Sequence, residues 1–258
     1  MAEKEIANNF LAFLGTAGAR FVMIKQLRHS GGLWVNCQGT NVLIDPGPGS
    51  LVRCLSRQPQ LNPGILDGVI LTHRHIDHAN DVNVIVEAMT EGGFKKRGAV
   101  FAPRDAFEGD PVILEYVRRY PQRIEQLDEH GSYEVGSLRF QTSMAHKHPA
   151  QTYGLKFNIN QTSIGVLADT RFFPELADFY KTDVLIVSVI FIHPRAGIDH
   201  LSVDELAPLL KELKPRKTIL THFGLTMLQA QPELVAQQLA DDTGSEVVAA
   251  VDGMTLEF

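Results

Sequence analysis

Four side chains able to bind a metal crowd into one eight-residue run, Leu71-Thr-His-Arg-His-Ile-Asp-His78. His73 and His75 stand two apart, so an extended loop directs both imidazoles at one point. Asp77 and His78 follow where the chain can turn them toward a second point. Imidazole and carboxylate together suit zinc, manganese or iron. A lone His-x-His arises often by chance, but His-x-His-x-Asp-His directly after a short aliphatic strand is far more specific.

This run resembles the signature of the metallo-β-lactamase superfamily, and motifs similar to that family's others follow in order over about residues 10 to 258. The resemblance implies an α/β fold, an αββα sandwich in a single domain spanning 1–258. Asp45 matches the first-motif aspartate, which orients the metal-binding loop. His148 matches the third-motif histidine, because it stands six residues before Gly154 in Thr152-Tyr-Gly-Leu-Lys156; His146 is its rival and otherwise supports the site or faces substrate. Asp169, in Val166-Leu-Ala-Asp-Thr170, matches a bridging carboxylate, and His222, in Leu220-Thr-His-Phe-Gly224, the last ligand. Carried over by position, His73, His75 and His148 would hold one divalent ion and Asp77, His78 and His222 the other, with Asp169 between them. Zinc is the first choice of metal, with manganese and iron as alternatives. Two ions roughly 3.5 to 4 Å apart bring the pKa of a shared water near neutrality and clamp the oxygens of the electrophile.

Three further features resemble the transfer-RNA 3′-processing endonucleases and related phosphodiesterases. They are Phe13-Leu-Gly-Thr-Ala-Gly18, Thr221-His-Phe-Gly224 and His200-Leu-Ser202. In those relatives the last histidine helps protonate the leaving group, so the expected catalytic residues are Asp77, Asp169 and His200. Each feature also has a bland reading. A Gly-Thr-x-Gly turn is common after a strand, Ser202 suffices as a helix cap, and His200 fits an ordinary polar loop. One departure from the endonucleases matters: only about twenty residues separate His148 from Asp169, too few for their transfer-RNA-gripping arm. The expected substrate is therefore a small or cyclic phosphodiester. An acyl-bond hydrolase cleaving a thioester or lactone would share every ligand and is the alternative. A di-iron redox protein is disfavoured, because such relatives usually carry glutamate where His75 stands, and a non-catalytic metal scaffold because no expected ligand is missing. Arg171, just after Asp169, is placed to grip a phosphate at the rim.

The elements that must position these residues read as hairpins with intervening helices. Strands are expected at 9–14, 33–37, 41–44, 68–71, 153–159, 163–167, 183–190 and 217–220, with a hairpin over 132–142. A helix is expected from about His78, another over 203–213 with Ser202 and Glu205 in capping-box spacing, and a third over 232–240. Residues 246–251 and 254–258 read as a closing strand pair. The long stretch from Glu91 to Gln126 carries Phe94, Phe101, Phe107, Tyr116 and Tyr120; most are expected in the core, and part of the stretch to cover the site as a lid.

The 258 residues are 44% hydrophobic and 21% charged, enough for one sizeable core. The start, Met1-Ala-Glu-Lys-Glu5, is acidic and the apolar run near Phe10 is too short for a signal or a membrane span, so a cytoplasmic protein is expected. Cys37 and Cys54 form no metal or redox motif and read as buried thiols. With a formal net charge of −6 and one short basic cluster, Lys95-Lys-Arg97, long nucleic acid is not the expected partner. A homodimer is left open.

Overall fold

The computed structural model describes residues 8–18 and 20–258; the acidic start at 1–5 lies outside them. Strands β1 (Phe10–Phe13), β2 (Leu33–Cys37), β3 (Thr40–Ile44), β4 (Gly68–Ile70), β5 (Ala99–Pro103), β6 (Arg123–Leu127) and the last strand, β14 (Thr255–Glu257), form one sheet. Its order is β14-β1-β2-β3-β4-β5-β6. Strands β7 (Ser132–Val135), β8 (Leu138–Ala145), β9 (Tyr153–Ile159), β10 (Thr162–Leu167), β11 (Val184–Ser188), β12 (Lys217–Thr221) and β13 (Glu246–Ala249) form the second, in the order β13-β12-β11-β10-β9-β8-β7.

The strands alternate between two apolar surfaces, as a sheet covered on both faces requires. Val42 and Ile44 of β3 join Phe140, Leu155 and Ile186 of the opposite sheet in a central core. Leu43, between them, points outward to a cluster that includes Cys54, Ile85 and Val86 from helices α1 (Ser50–Ser56) and α2 (Val82–Met89). On the other side, Leu206 and Leu210 of α3 (Val203–Leu213) and Val235 and Leu239 of α4 (Pro232–Thr243) pack on Val187 and Leu220. This is the expected αββα sandwich.

Register explains why the chemistry gathers at one edge. Parallel pairing sets Ile44 beside Ile70, so Asp45 and Thr72 leave the first sheet together. In the second sheet Leu167 pairs with Val187 and Ser188 with Thr221, so the segments carrying Asp169 and His222 leave at matching ends. Ala145 pairs with Tyr153, which brings the 146–152 connection to the same region.

The elements depart from the expected ones in several places. The helix expected from His78 is a single turn, Ile76–Ala79, broken before α2. The last helix runs on to Thr243 and stops at Gly244, whose φ of 71° suits a residue without a Cβ. The supposed closing pair is not a pair: β13 joins β12 in one sheet, while β14 joins β1 in the other. The crossing is tied at both ends, by Ala250 N–H to Leu220 O and Gly253 N–H to Phe13 O.

Of the aromatics between motifs, Phe101 is fully buried but Phe94 is 93% exposed. Lys95, Lys96 and Arg97 bond to Glu91, the Arg119 carbonyl, and the Gly64 carbonyl and Asp67. Both cysteines are free and buried. No helix among the described residues is long and apolar enough to cross a membrane.

Candidate metal centre

Strand β3 ends at Ile44, and Asp45, the next residue, takes a left-handed φ of 52°. That conformation turns its carboxylate under the histidine run. Asp45 Oδ1 accepts from Thr72 N–H at 2.7 Å, and Oδ2 accepts from Thr72 Oγ1 at 2.7 Å and lies 2.9 Å from His78 Nδ1. Gly47 lets the loop pass close by: a Cβ there would stand 2.0 Å from the Asp77 carbonyl oxygen.

The run held by Asp45 splits as its spacing suggested. His73, His75 and His148 bring ligand atoms within 4.8 Å of one another, and so do Asp77, His78, Asp169 and His222. His148 Nε2 is 3.0 Å from His75 Nδ1, and its Nδ1 is 2.9 Å from the Asp199 carbonyl, which fixes the ring. His78 Nε2 is 2.9 Å from His222 Nε2, itself 3.2 Å from Asp77 Oδ2. Asp169 lies between the groups, with Oδ2 at 3.9 Å from His73 Nε2 and 3.6 Å from His78 Nε2, and Oδ1 at 3.5 Å from His222 Nδ1.

His146 is buried behind this cluster and outside both groups. Its Nδ1 is 3.2 Å from the Asp169 carbonyl, which requires a proton on Nδ1, and its Nε2 then accepts from Tyr180 O–H at 2.7 Å. Sequence reading missed Tyr180. A Cβ on Gly154 would stand 1.6 Å from the Tyr180 hydroxyl, so that glycine also makes room for it. His200 Nδ1 is 3.5 Å from Asp169 Oδ2, and with His148 and Asp169 it forms a third group able to hold a cation.

The donor set fits divalent metal ions. Among the described residues His73 Nε2, Asp169 Oδ1 and His222 Nδ1 are buried with no hydrogen-bond partner, and such groups are rare unless something else satisfies them. Nitrogen and carboxylate donors meeting there suit borderline cations.

The electrostatics point the same way. Burial would raise the Asp77 and Asp169 pKa values, yet the surrounding histidines, His78 for Asp77 and His222 foremost for Asp169, hold both below the usual carboxylate range. Burial would lower His78, but Asp77, Asp169 and Asp45 hold it well above its ordinary value. His73 is pulled down by burial, then by His78. Burial also takes His146 and His200 to about 4, against the opposing pull of Asp169.

A cleft of about 570 Å³ opens over the cluster, lined by His75, Asp77 and His200 together with Arg20, Ile24, Arg74, Ile76, Asp110 and Val112. Asp110 and Val112 come from the expected lid stretch, and Arg74 donates to the Asp110 carbonyl. Arg171 is instead 3.8 Å from Asp199 and 59% exposed.

The chain is 28% identical over 257 residues to an uncharacterized protein of Methanocaldococcus jannaschii, covering 96% of this chain and 94% of that one. It is 41% identical to a ribonuclease Z of Methanopyrus kandleri over 133 residues, covering 50% of this chain and 43% of that protein. A solved diphosphatase from the PhnP family superposes with a TM-score of 0.71 at 20% identity, covering 97% of each chain. The β-lactamase superfamily domain model matches residues 40–223, which take in the histidine run, His148, Asp169 and His222. The chain therefore belongs to the β-lactamase superfamily domain family, a family of metal-dependent hydrolases.

Proposed function

We propose that this protein is a dinuclear metal-dependent hydrolase of phosphodiesters, acting on small or cyclic ones rather than on transfer RNA. His73, His75 and His148 would hold one ion, Asp77, His78 and His222 the other, and Asp169 would contribute to both. Zinc is the metal this nitrogen-rich set favours, with manganese and iron as alternatives. The observation that carries the reading is the trio of buried, partnerless atoms, His73 Nε2, Asp169 Oδ1 and His222 Nδ1, each from a different segment and brought to one cluster.

Two ions held there supply a water acidified to near neutrality and charge to neutralise the oxygens of the reacting group. The protein's own groups do the rest. Asp169 fixes the spacing of the two ligand sets. Arg20 and Arg74, the latter 3.4 Å from Asp105, stand at the cleft where an anionic substrate could meet them. His200 delivers a proton to the leaving oxygen, and a phosphodiester anion beside it favours the protonated imidazole that burial alone disfavours.

Two observations favour phosphorus chemistry on small substrates. The likeness includes a diphosphatase along nearly the whole chain. Between His148 and Asp169 the chain forms only the β9–β10 hairpin, with no arm to grip a large RNA. The test is a panel run on protein with quantified metal: bis-(p-nitrophenyl) phosphate, cyclic nucleotides, a thioester, a lactone and a lactam. Turnover of the phosphodiesters, lost in His200→Ala, is expected. Cleavage of an acyl substrate with the phosphodiesters untouched would overturn the proposal.

A further inference from the structure

The turn Gly15-Thr-Ala-Gly18 and the crossing loop at 250–253 play no part in the proposed chemistry, yet they meet behind His222. His222 has a left-handed φ of 62°, which a residue with a Cβ keeps only where its surroundings impose it. Two backbone hydrogen bonds clamp the next residue: Phe223 N–H donates to Thr16 O at 2.8 Å, and Gly18 N–H donates to Phe223 O at 3.0 Å. The turn also lies against the histidine itself, since a Cβ on Gly18 would stand 2.3 Å from the His222 carbonyl oxygen and 2.8 Å from its Nδ1.

The turn is held from the far side by one carboxylate. Asp252 Oδ1 accepts from Thr16 N–H at 2.9 Å and from Thr16 Oγ1 at 2.7 Å. Its Oδ2 accepts from His29 N–H at 2.7 Å, and the His29 carbonyl accepts from Ala17 N–H at 3.0 Å. The loop carrying Asp252 is anchored to both sheets by Ala250 and Gly253. Thr16 is buried, as is Phe223, so this chain of bonds runs through the interior from Asp252 to the backbone of His222.

We infer that Asp252 is a positioning residue for His222, acting through Thr16 and Phe223 to aim the imidazole at Asp77, His78 and Asp169. The inference rests on His222 being a ligand of the second ion. A residue that only orients a ligand changes metal affinity, typically about 10–100-fold, without touching substrate.

The test compares Asp252→Ala and Thr16→Val with Thr16→Ser, which keeps the hydroxyl, and with Arg57→Ala. Arg57 donates to Thr255 Oγ1 and Gly253 O and so braces the same C-terminal segment without reaching the turn. Each protein is titrated with zinc, and the His222 imidazole resonances are recorded in metal-free protein. Asp252→Ala and Thr16→Val should bind the second ion about 10–100-fold more weakly and shift the His222 resonances, while Thr16→Ser and Arg57→Ala match the native protein on both. Unchanged affinity and unchanged resonances in Asp252→Ala and Thr16→Val would overturn the inference. A native protein that binds only one ion would instead sink the dinuclear proposal, and the metal-free resonances would still decide the role of Asp252.

Discussion

His78 Nδ1 lies 2.9 Å from the Asp45 carboxylate, so its proton on that side is fixed and only Nε2 is left for the cluster. The same carboxylate takes both hydrogen bonds from the fully buried Thr72. Asp45 thus orients the histidine run without joining either ligand group, and the left-handed φ that allows this is a cost repaid by three interactions. Asp45→Ala should strip these partners and destabilise the metal-free protein by roughly 2–5 kcal/mol, from buried donors left unpaired. It should also weaken binding of the ion proposed at His78. Urea unfolding and metal titration check both; native stability in the variant would show that the loop does not depend on Asp45.

The two facing nitrogens, His78 Nε2 and His222 Nε2 at 2.9 Å, need one proton between them. Asp77, Asp169 and Asp45 outweigh burial and raise the His78 pKa, which favours the proton on His78 Nε2 when no metal is bound. An ion bound at Nε2 must displace that proton. Because the metal-free pKa is raised, the competition extends to higher pH than at an ordinary histidine and fades as pH rises through the raised value. Metal affinity at this half of the centre should therefore climb with pH, by about tenfold per unit for each proton displaced. Calorimetry at pH 7 in two buffers of different ionisation enthalpy should show proton release on binding that His78→Ala lacks; equal release in that variant would contradict the assignment.

The side chains of the site were legible in the sequence because metal chemistry restricts residue type and the histidine run restricts spacing. His73, His75, Asp77, His78, His148, Asp169 and His222 come together in two groups able to hold a metal, and His148, the histidine favoured by its distance from Gly154, joins them while His146 does not. What orients them was not legible. Tyr180 bonds to His146 and Asp252 to Thr16 only because a helix turn and a crossing loop from distant parts of the chain pack behind the site, and neither residue type announces such a contact. The expected pairing of residues 246–251 with 254–258 failed for a related reason. Closeness in sequence suggests a hairpin, but open edges on two different sheets, at β12 and β1, capture the two segments separately. The left-handed backbones of Asp45 and His222 were also hidden, since neither is the glycine that usually marks such a position.

Tyr180 offers a separable test of how Asp169 is supported. The buried Tyr180 hydroxyl donates to His146 Nε2, and His146 Nδ1–H donates to the carbonyl of Asp169, so a neutral imidazole links the tyrosine to the backbone of Asp169. Burial raises the tyrosine pKa and lowers that of the histidine to about 4, which keeps both groups neutral at pH 7. Tyr180→Phe leaves His146 Nε2 a buried acceptor without a donor, at a cost of about 1–3 kcal/mol. His146→Ala alone should cost more, because it opens a cavity and frees both partners. If the two residues act as one relay, the double variant should be less destabilised than the sum of the single variants. Urea unfolding of the four metal-free proteins measures this directly, and strict additivity would mean that the tyrosine supports the fold without supporting His146.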